Sequence, residues 1–126
     1  MLRIFRLILR LGCATTGYPD TVEPPPPAFR GRPALDAGRC DGSADCVAVC
    51  PSMALSLDAS LADGRRPWRL DLSRCVFCGL CAEVCPTEAI TMTSDFELAA
   101  RRREDLLVTV LPDHVAAAAG EGRSSV

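Results

Sequence analysis

A run of cysteines in the second half of the chain constrains its fold more than any other feature. Four cysteines follow the spacing C-x2-C-x2-C-x3-C, and a proline comes directly after the last one: Cys75, Cys78, Cys81, Cys85 and Pro86. This spacing is the ligand run of bacterial-type iron–sulfur proteins, in which the fourth cysteine binds a different cluster from the first three. The run therefore predicts a partner run elsewhere in the chain.

The partner run lies 35 residues earlier and has three cysteines, Cys40, Cys46 and Cys50. Internal similarity at a fixed interval indicates two similar half-modules, each too small to bury a core alone. One position departs from the repeat, because Ser43 stands where the later run has Cys78.

Metal ligation explains these cysteines better than disulfide bonds do. Eight cysteines in 126 residues, with only 5% aromatic residues, indicate that bound metal or cross-links replace part of a core. The apolar start is short and contains Arg3, Arg6 and Arg10, so we expect no secretory signal and reduced thiols. Zinc sites commonly use two separated C-x2-C pairs, so the spacing found here favours iron.

Crossed ligation predicts two cluster sites. The second site takes one 4Fe-4S cluster on four thiolates, which are Cys75, Cys78, Cys81 and Cys50. The first site has three thiols and one hydroxyl, which are Cys40, Cys46, Cys85 and Ser43. Because Cys50 and Cys85 change halves, each cluster joins both repeats, and we expect cluster loss to unfold the module. Six apolar side chains are predicted to form a dry shell: Val47, Val49, Val76, Phe77, Leu80 and Val84.

Ser43 leaves three interpretations of the first site open. A 3Fe-4S cluster could form on the three thiolates, with no ligand at the missing corner. A 4Fe-4S cluster could instead carry an oxygen ligand on one iron, from Ser43, Asp45 or water, since oxygen is a harder ligand than thiolate. The site could also be degraded and bind nothing. Asp41 and Asp45 add negative charge, which should lower the potential of a cluster there.

The remaining pattern predicts an α+β fold, a bacterial two-cluster ferredoxin-like module of two pseudo-symmetric β-loop-α-β halves. Apolar residues alternate with polar ones at 54–58, 68–72 and 89–93, which predicts strands, and 59–67 reads as a polar turn. We expect an edge strand or packing arm at 106–111 and disorder at 112–126. The predicted divisions are an amphipathic N-terminal helix (1–16), a Pro-rich connector (17–35), a dicluster 4Fe-4S ferredoxin-type domain (36–96), and a C-terminal arm with a disordered tail (97–126).

The N-terminal segment 1–12 combines apolar residues with an arginine stripe. Twelve residues are too few to span a bilayer, so we expect this helix to lie on a membrane surface, on a partner protein or on its own domain. No ligand role is expected for the isolated Cys13 or for His114. Nucleic-acid binding is not expected either, because the 14 arginines form no dense stripe with interleaved aromatic residues.

The order of several short segments resembles hydrogenase-4 component H and formate hydrogenlyase subunit 6, which are relatives of the 23 kDa (subunit I) polypeptide of complex I. The segments that carry the resemblance are 1–6, Tyr18-Pro19, 29–33, 68–75, 85–90 and 96–98. It covers about residues 1–110. The family pattern expects Cys at position 43, so Ser43 is a departure from it.

The resemblance implies an iron–sulfur subunit of a membrane-associated hydrogenase, formate hydrogenlyase or complex I-like oxidoreductase. Such a subunit relays single electrons between partner modules and lies peripherally on the cytoplasmic side of the cell membrane, touching its surface through residues 1–12. It is not itself catalytic and takes no small-molecule substrate. A stand-alone soluble ferredoxin, or a structural or redox-sensing cluster subunit with one degraded site, is the alternative.

Overall fold

The computed structural model describes residues 2–12 and 16–113. Its helices are α1 (Leu2–Leu11), α2 (Asp45–Val49) and α3 (Leu80–Glu83), and a 3-10 helix spans Arg103–Leu106. Its strands are β1 (Pro33–Leu35), β2 (Leu55–Leu57), β3 (Trp68–Asp71), β4 (Ile90–Met92) and β5 (Leu107–Val110). Cys13 and His114 lie outside the described residues, as does most of the predicted disordered tail.

The strands form two small antiparallel sheets. One pairs β1 with β4, and the other has the order β2-β3-β5. On β3 the two apolar residues Trp68 and Leu70 are buried while Arg69 between them is exposed, as the alternation in the sequence predicts. The turn 59–67 joins β2 to β3 and is closed by a hydrogen bond from the Leu61 N–H to the Arg65 carbonyl at 2.8 Å.

The core is small and lies between the three-stranded sheet and the two cysteine loops. Its buried members in the described chain are Ala54, Leu55, Trp68, Leu70, Cys81, Ala89 and Ile90. Several thiols pack against this group, among them Cys46, Cys50, Cys75 and Cys85. The apolar core and the cysteine loops are therefore one packing unit.

Strand β1 lies inside the predicted connector, at its last three residues. Pro33 pairs with Met92 and Leu35 pairs with Ile90. Proline is tolerated here because it is the first residue of an edge strand, where it does not need to donate to the ladder. The chain is guided into β1 by Gly31, whose N–H donates to the Thr93 carbonyl at 2.8 Å. Residues 17–32 form no regular helix or strand.

The C-terminal part stays attached to the domain further than the composition predicts. Strand β5 is an edge strand on β3, with Trp68 opposite Val110, as expected for one of the two alternatives at 106–111. Pro112 is buried, and the Asp113 N–H donates to the Ala37 carbonyl at 3.0 Å. The prediction of disorder from residue 112 is therefore wrong for these two residues, because β5 carries them beside the loop before the first cysteine run.

Helix α1 has no extensive contact with another helix or strand of the described chain. Its side chains from Arg3 onward are exposed, including the apolar Phe5 at 65% and Leu9 at 85%. The prediction that this helix might rest on its own domain is wrong. No helix among the described residues is long and apolar enough to cross a membrane.

Candidate metal centre

The two cysteine loops share one backbone conformation. Each has three positions with left-handed φ, and the positions pair at an interval of 35 residues: Gly42 (74°) with Phe77 (53°), Ala44 (66°) with Gly79 (84°), and Met53 (50°) with Glu88 (51°). Left-handed backbone costs a non-glycine residue about 1–2 kcal/mol, so it persists only where the surroundings impose it. Ala44 adopts it although its counterpart is glycine. The first loop is therefore shaped like the second one despite its altered sequence.

An aspartate turn introduces each loop. The Asp36 carboxylate accepts from the Gly38 N–H at 3.0 Å, and the Asp71 carboxylate accepts from the Ser73 N–H at 2.9 Å. Such side-chain bonds to the backbone two residues on favour turns over regular structure. They end β1 and β3 in the same way and direct both loops toward the core.

Four thiols line one small cavity on the second loop, and they come from both runs: Cys50, Cys75, Cys78 and Cys81. The lining is otherwise mainly apolar and includes Leu55, Leu70 and Met92. Within the loop the Phe77 N–H donates to Cys75 Sγ at 3.4 Å. A mainly apolar cavity lined by four thiols, with an amide donor to one of them, fits a 4Fe-4S cluster, whose sulfurs accept such bonds.

Cys85 lies with the thiols of the other run. Its charge raises the pKa of both Cys40 and Cys46, although burial is the main cause of each increase. The Gly42 N–H donates to Cys40, as the Phe77 N–H does to Cys75 in the second loop. Three thiols of the first site are thus brought together.

Ser43, the fourth residue of that predicted site, is exposed. Its N–H donates to the Asp41 carboxylate at 3.1 Å, and the charge of Asp41 contributes to the raised pKa of Cys40. The corner that Ser43 occupies therefore faces solvent and an anionic neighbour, whereas Cys78 in the second loop lines a cavity.

Cys50 and Cys85, the two cysteines predicted to change halves, have matching hydrogen bonds. Cys50 Sγ accepts from the Ala54 N–H at 3.3 Å and lies 3.7 Å from the Ser52 hydroxyl. Cys85 Sγ accepts from the Ala89 N–H at 3.2 Å and lies 3.6 Å from the Thr87 hydroxyl.

Those contacts change the acidity of both thiols. Burial alone would raise the pKa of Cys50 and Cys85, but the hydrogen bonds to each sulfur outweigh burial and lower it. Both side chains are therefore held toward the thiolate form that binds metal.

Cys40, Cys46, Cys75 and Cys81 behave in the opposite way, because burial raises the pKa of each thiol. The largest increase is at Cys81, to about 11. A thiol in such a place is protonated at neutral pH unless a cation replaces its proton. Bound metal supplies that cation, so metal binding should release protons from these residues.

The thiols of the described chain do not form a closely converged site for a single metal ion. Within 2–12 and 16–113, no three His, Cys, Asp or Glu side chains converge closely enough to hold one metal ion. A structural zinc ion needs four ligands at about 2.0–2.3 Å from a single point.

The cavity lining contains part of the predicted dry shell. Val76, Phe77 and Leu80 line the cavity, although Val76 is 61% exposed, whereas Val84 is not among the lining residues. Pro33 and Met92 also line the cavity. Extending the 35-residue repeat backward from Trp68 to Pro33 would have revealed β1 and its proline.

Comparisons with known proteins agree with this geometry. Residues 39–89 match the 4Fe-4S dicluster domain family. The chain is 44% identical to formate hydrogenlyase subunit 6 of Escherichia coli (strain K12) over 107 residues, which are 85% of this chain and 59% of that protein. It is 42% identical to NADH-quinone oxidoreductase subunit I 1 of Geobacter sulfurreducens over 101 residues, covering 74% of this chain and 76% of the relative.

A solved structure has a similar fold. A chain of the membrane-bound sulfane sulfur reductase, an archaeal respiratory membrane complex, aligns with a TM-score of 0.62 and 28% identity. The alignment covers 84% of this chain and 58% of that one. The chain thus spans less than two thirds of the formate hydrogenlyase subunit and of this structural relative.

Proposed function

Because the chain belongs to the family of iron–sulfur subunits that includes formate hydrogenlyase subunit 6 and NADH-quinone oxidoreductase subunit I, we propose that it is an electron-transfer subunit. Its complex would be a membrane-associated hydrogenase, formate hydrogenlyase or complex I-like oxidoreductase. When bound, the clusters supply one-electron transfer between partner modules. The carrying observation is that the two thiol sets adjoin, since Cys81 of one set belongs to the buried core group against which Cys46 of the other set packs.

We assign the ligands by the crossed rule. The second cluster, a 4Fe-4S cluster, is held by four thiolates, Cys75, Cys78, Cys81 and Cys50, and their shared cavity supports this set. The first cluster is held by Cys40, Cys46 and Cys85, and the effect of Cys85 on the acidity of the other two supports that set. Amide donors to Cys50 and Cys85 orient both crossing side chains toward their sites.

The first site holds a cluster in spite of Ser43. The support is the loop backbone, which keeps left-handed φ at Ala44 at an energetic cost that a degraded loop has no reason to retain. Ser43 occupies the non-thiolate corner. Whether that corner lacks an iron, as in 3Fe-4S, or carries an oxygen-ligated iron, as in 4Fe-4S, decides the cluster type and is left to experiment.

We propose the division that the sequence predicts, into the N-terminal helical segment (1–16), a connector (17–35), the dicluster domain (36–96) and a C-terminal arm with its tail (97–126), while the described helix α1 ends at Leu11. Two features modify this division, since β1 and β5 add strands to the domain from both sides. The domain consists of two pseudo-symmetric halves. Support comes from strand starts that recur after 35 residues, Pro33 with Trp68 and Leu55 with Ile90.

Helix α1 attaches the subunit to its surroundings at the cytoplasmic side of the membrane. Its apolar residues are exposed and would otherwise cost free energy in water, while Arg3, Arg6 and Arg10 suit anionic lipid headgroups. The other subunits of the complex are the partners of the domain, and no nucleic acid or small-molecule substrate is involved.

Leu9→Asp should release the protein from membranes. Leu9 is 85% exposed, so the change leaves the fold intact but removes an apolar contact worth about 1.5–3 kcal/mol when buried, which is at least about tenfold in partitioning. We would measure cosedimentation with protein-free anionic vesicles. Leu61→Asp, an equal change at an exposed loop residue, is the control and should bind like the native chain. Equal binding by all three proteins would contradict a role of α1 at lipid.

Anaerobic purification followed by EPR spectroscopy, with iron and sulfide counts, tests the proposed function. We expect signals from two clusters. An oxidised 3Fe-4S signal would give the first site three irons, and two interacting reduced 4Fe-4S signals would give it an oxygen ligand. Ser43→Cys should convert either one to an all-thiolate 4Fe-4S signal, which also assigns that signal to the first site. A single cluster would refute the two-station relay, and zinc in place of iron would refute electron transfer altogether.

A further inference from the structure

The side chain of Trp68 contains a buried donor without an acceptor. Trp68 is 1% exposed and lies in β3 between Leu57 of β2 and Val110 of β5. Its indole Nε1–H is a buried polar group that completes no hydrogen bond within the described part of the chain. Leaving a buried donor unpaired costs about 1–3 kcal/mol, so native structures rarely do so without a reason.

The sulfur of Cys46 is the acceptor available to this donor. Cys46 packs against the core group that contains Trp68, and the indole N–H lies near its sulfur without completing a bond to the neutral thiol. A neutral thiol is a weak acceptor, whereas a thiolate is an anion and accepts charge-assisted bonds. The donor is therefore matched to a deprotonated, metal-bound Cys46 rather than to a free thiol.

We propose that the Trp68 indole N–H donates a hydrogen bond to the Cys46 thiolate of the first cluster, and thereby holds the reduction potential of that cluster above the value it would otherwise have. The proposal rests on the proposed function, namely that the first site holds a cluster. Reduction adds one electron, supplied and later removed by redox centres of partner subunits, and no bond is made or broken. The indole proton stays on Nε1. A donor stabilises the more negative state, which raises the potential.

The second site lacks this donor at the equivalent position. The two halves are related by an interval of 35 residues, so Cys81 is the counterpart of Cys46, and Pro33 is the counterpart of Trp68. The pair Trp68 and Cys46 is therefore matched by the pair Pro33 and Cys81. Pro33 lines the second cavity together with Cys81, and its ring nitrogen carries no hydrogen. The two sites therefore differ in this hydrogen-bond donor as well as at Ser43 and Cys78. The second cluster serves as an internal reference for any effect of Trp68.

Trp68 and Asp41 have opposite effects on the reduction potential of the first cluster. Asp41 adds negative charge near Cys40, which favours the oxidised state. The inference therefore concerns the effect of removing the donor and not the order of the two potentials.

Potentiometric EPR titration of the full chain with Trp68→Phe tests the proposal. Phenylalanine keeps a buried aromatic ring but has no N–H. We expect the reduced-to-oxidised ratio of the first cluster at a fixed potential to fall about tenfold, which is ~59 mV for a one-electron couple. The ratio of the second cluster should stay within about twofold of the native value. A change below about twofold at the first cluster, or equal changes at both clusters, would overturn the inference.

Val110→Ala is the matched packing control. It loosens the strand pair around Trp68 but leaves the indole N–H in place, so it should shift neither potential selectively. A selective shift equal to that of Trp68→Phe would mean that packing, and not the donor, sets the potential, and would also overturn the inference.

A second measurement needs no variant that might misfold. Trp68 is the only tryptophan in the chain, so growth with ¹⁵N-indole tryptophan introduces a single labelled nitrogen at this position. Pulsed EPR should detect one ¹⁵N coupling on the first-cluster signal and none on the second. Absence of that coupling from a first-cluster signal refutes the hydrogen bond alone. Absence of the signal itself, with iron for only one cluster, refutes the proposed first site and the inference with it.

Discussion

Removing iron is expected to unfold the domain rather than to leave it folded and empty. The buried core of the described chain has seven residues, and one of them is the thiol Cys81. Cysteine side chains pack around the rest of this core, so cluster loss removes packing on the same surface. Domains of this size bury too little apolar surface to tolerate that loss, and the metal-binding free energy contributes directly to folding.

A chelator added under reducing, anaerobic conditions tests this expectation. We expect far-UV circular dichroism to lose its native shape and the Trp68 emission maximum to shift to the red, because Trp68 changes from 1% exposed to solvated. Both signals should return after reconstitution with iron and sulfide. A chelated protein that keeps a cooperative thermal transition would show that the apolar core suffices, contrary to this expectation.

Cys85→Ala is expected to remove the first cluster, although Cys85 belongs to the second cysteine run. Cys50→Ala is expected to remove the second cluster, although Cys50 belongs to the first run. Cys85 closes the second run in sequence, but its charge acts on Cys40 and Cys46, so its loss should abolish the first cluster signal. Cys50 lines the cavity of the second run, so its loss should abolish the second signal. Each variant should keep about half of the bound iron, as expected for loss of one of two clusters.

EPR spectra with iron counts distinguish crossed ligation from an arrangement in which each run binds its own cluster. Pro86→Ala changes an exposed neighbour of Cys85 and should keep both clusters. If Cys85→Ala removed the second cluster and spared the first, the crossed assignment would be wrong. If either variant lost all iron, the two sites would be mutually dependent for stability, and lower temperature should then recover the remaining cluster.

Much of this structure could be predicted from local pattern. The spacing of the cysteines predicts the two loops, the short helices α2 and α3 and the cofactor type, because these depend on residues close in sequence. Period-two alternation predicts β2, β3 and β4 to within one or two residues. The family match at residues 39–89 confirms the 4Fe-4S dicluster domain.

What the pattern missed depends on contacts between distant residues. Strand β1 has three residues after a proline-rich segment, too few to carry a periodic signal, and it forms because β4 lies beside it. Solvent exposure of Val76 depends on how the second loop turns, which composition does not encode. The position of the Trp68 N–H against Cys46 likewise requires β3 and the first loop to be packed together.

The proposed exchange of Cys50 and Cys85 between the halves also has a consequence for biogenesis. The first thiol of the proposed first site is Cys40, yet that site is complete only when Cys85 has left the ribosome, 45 residues later. The second proposed site similarly begins with Cys50 and is complete only after Cys81 has been synthesised. Neither half can therefore be loaded with iron during its own synthesis. Under the proposed ligation, Cys40, Cys46 and Cys50 therefore have no complete site until the second run has been made, and they must be protected from oxidation during that time.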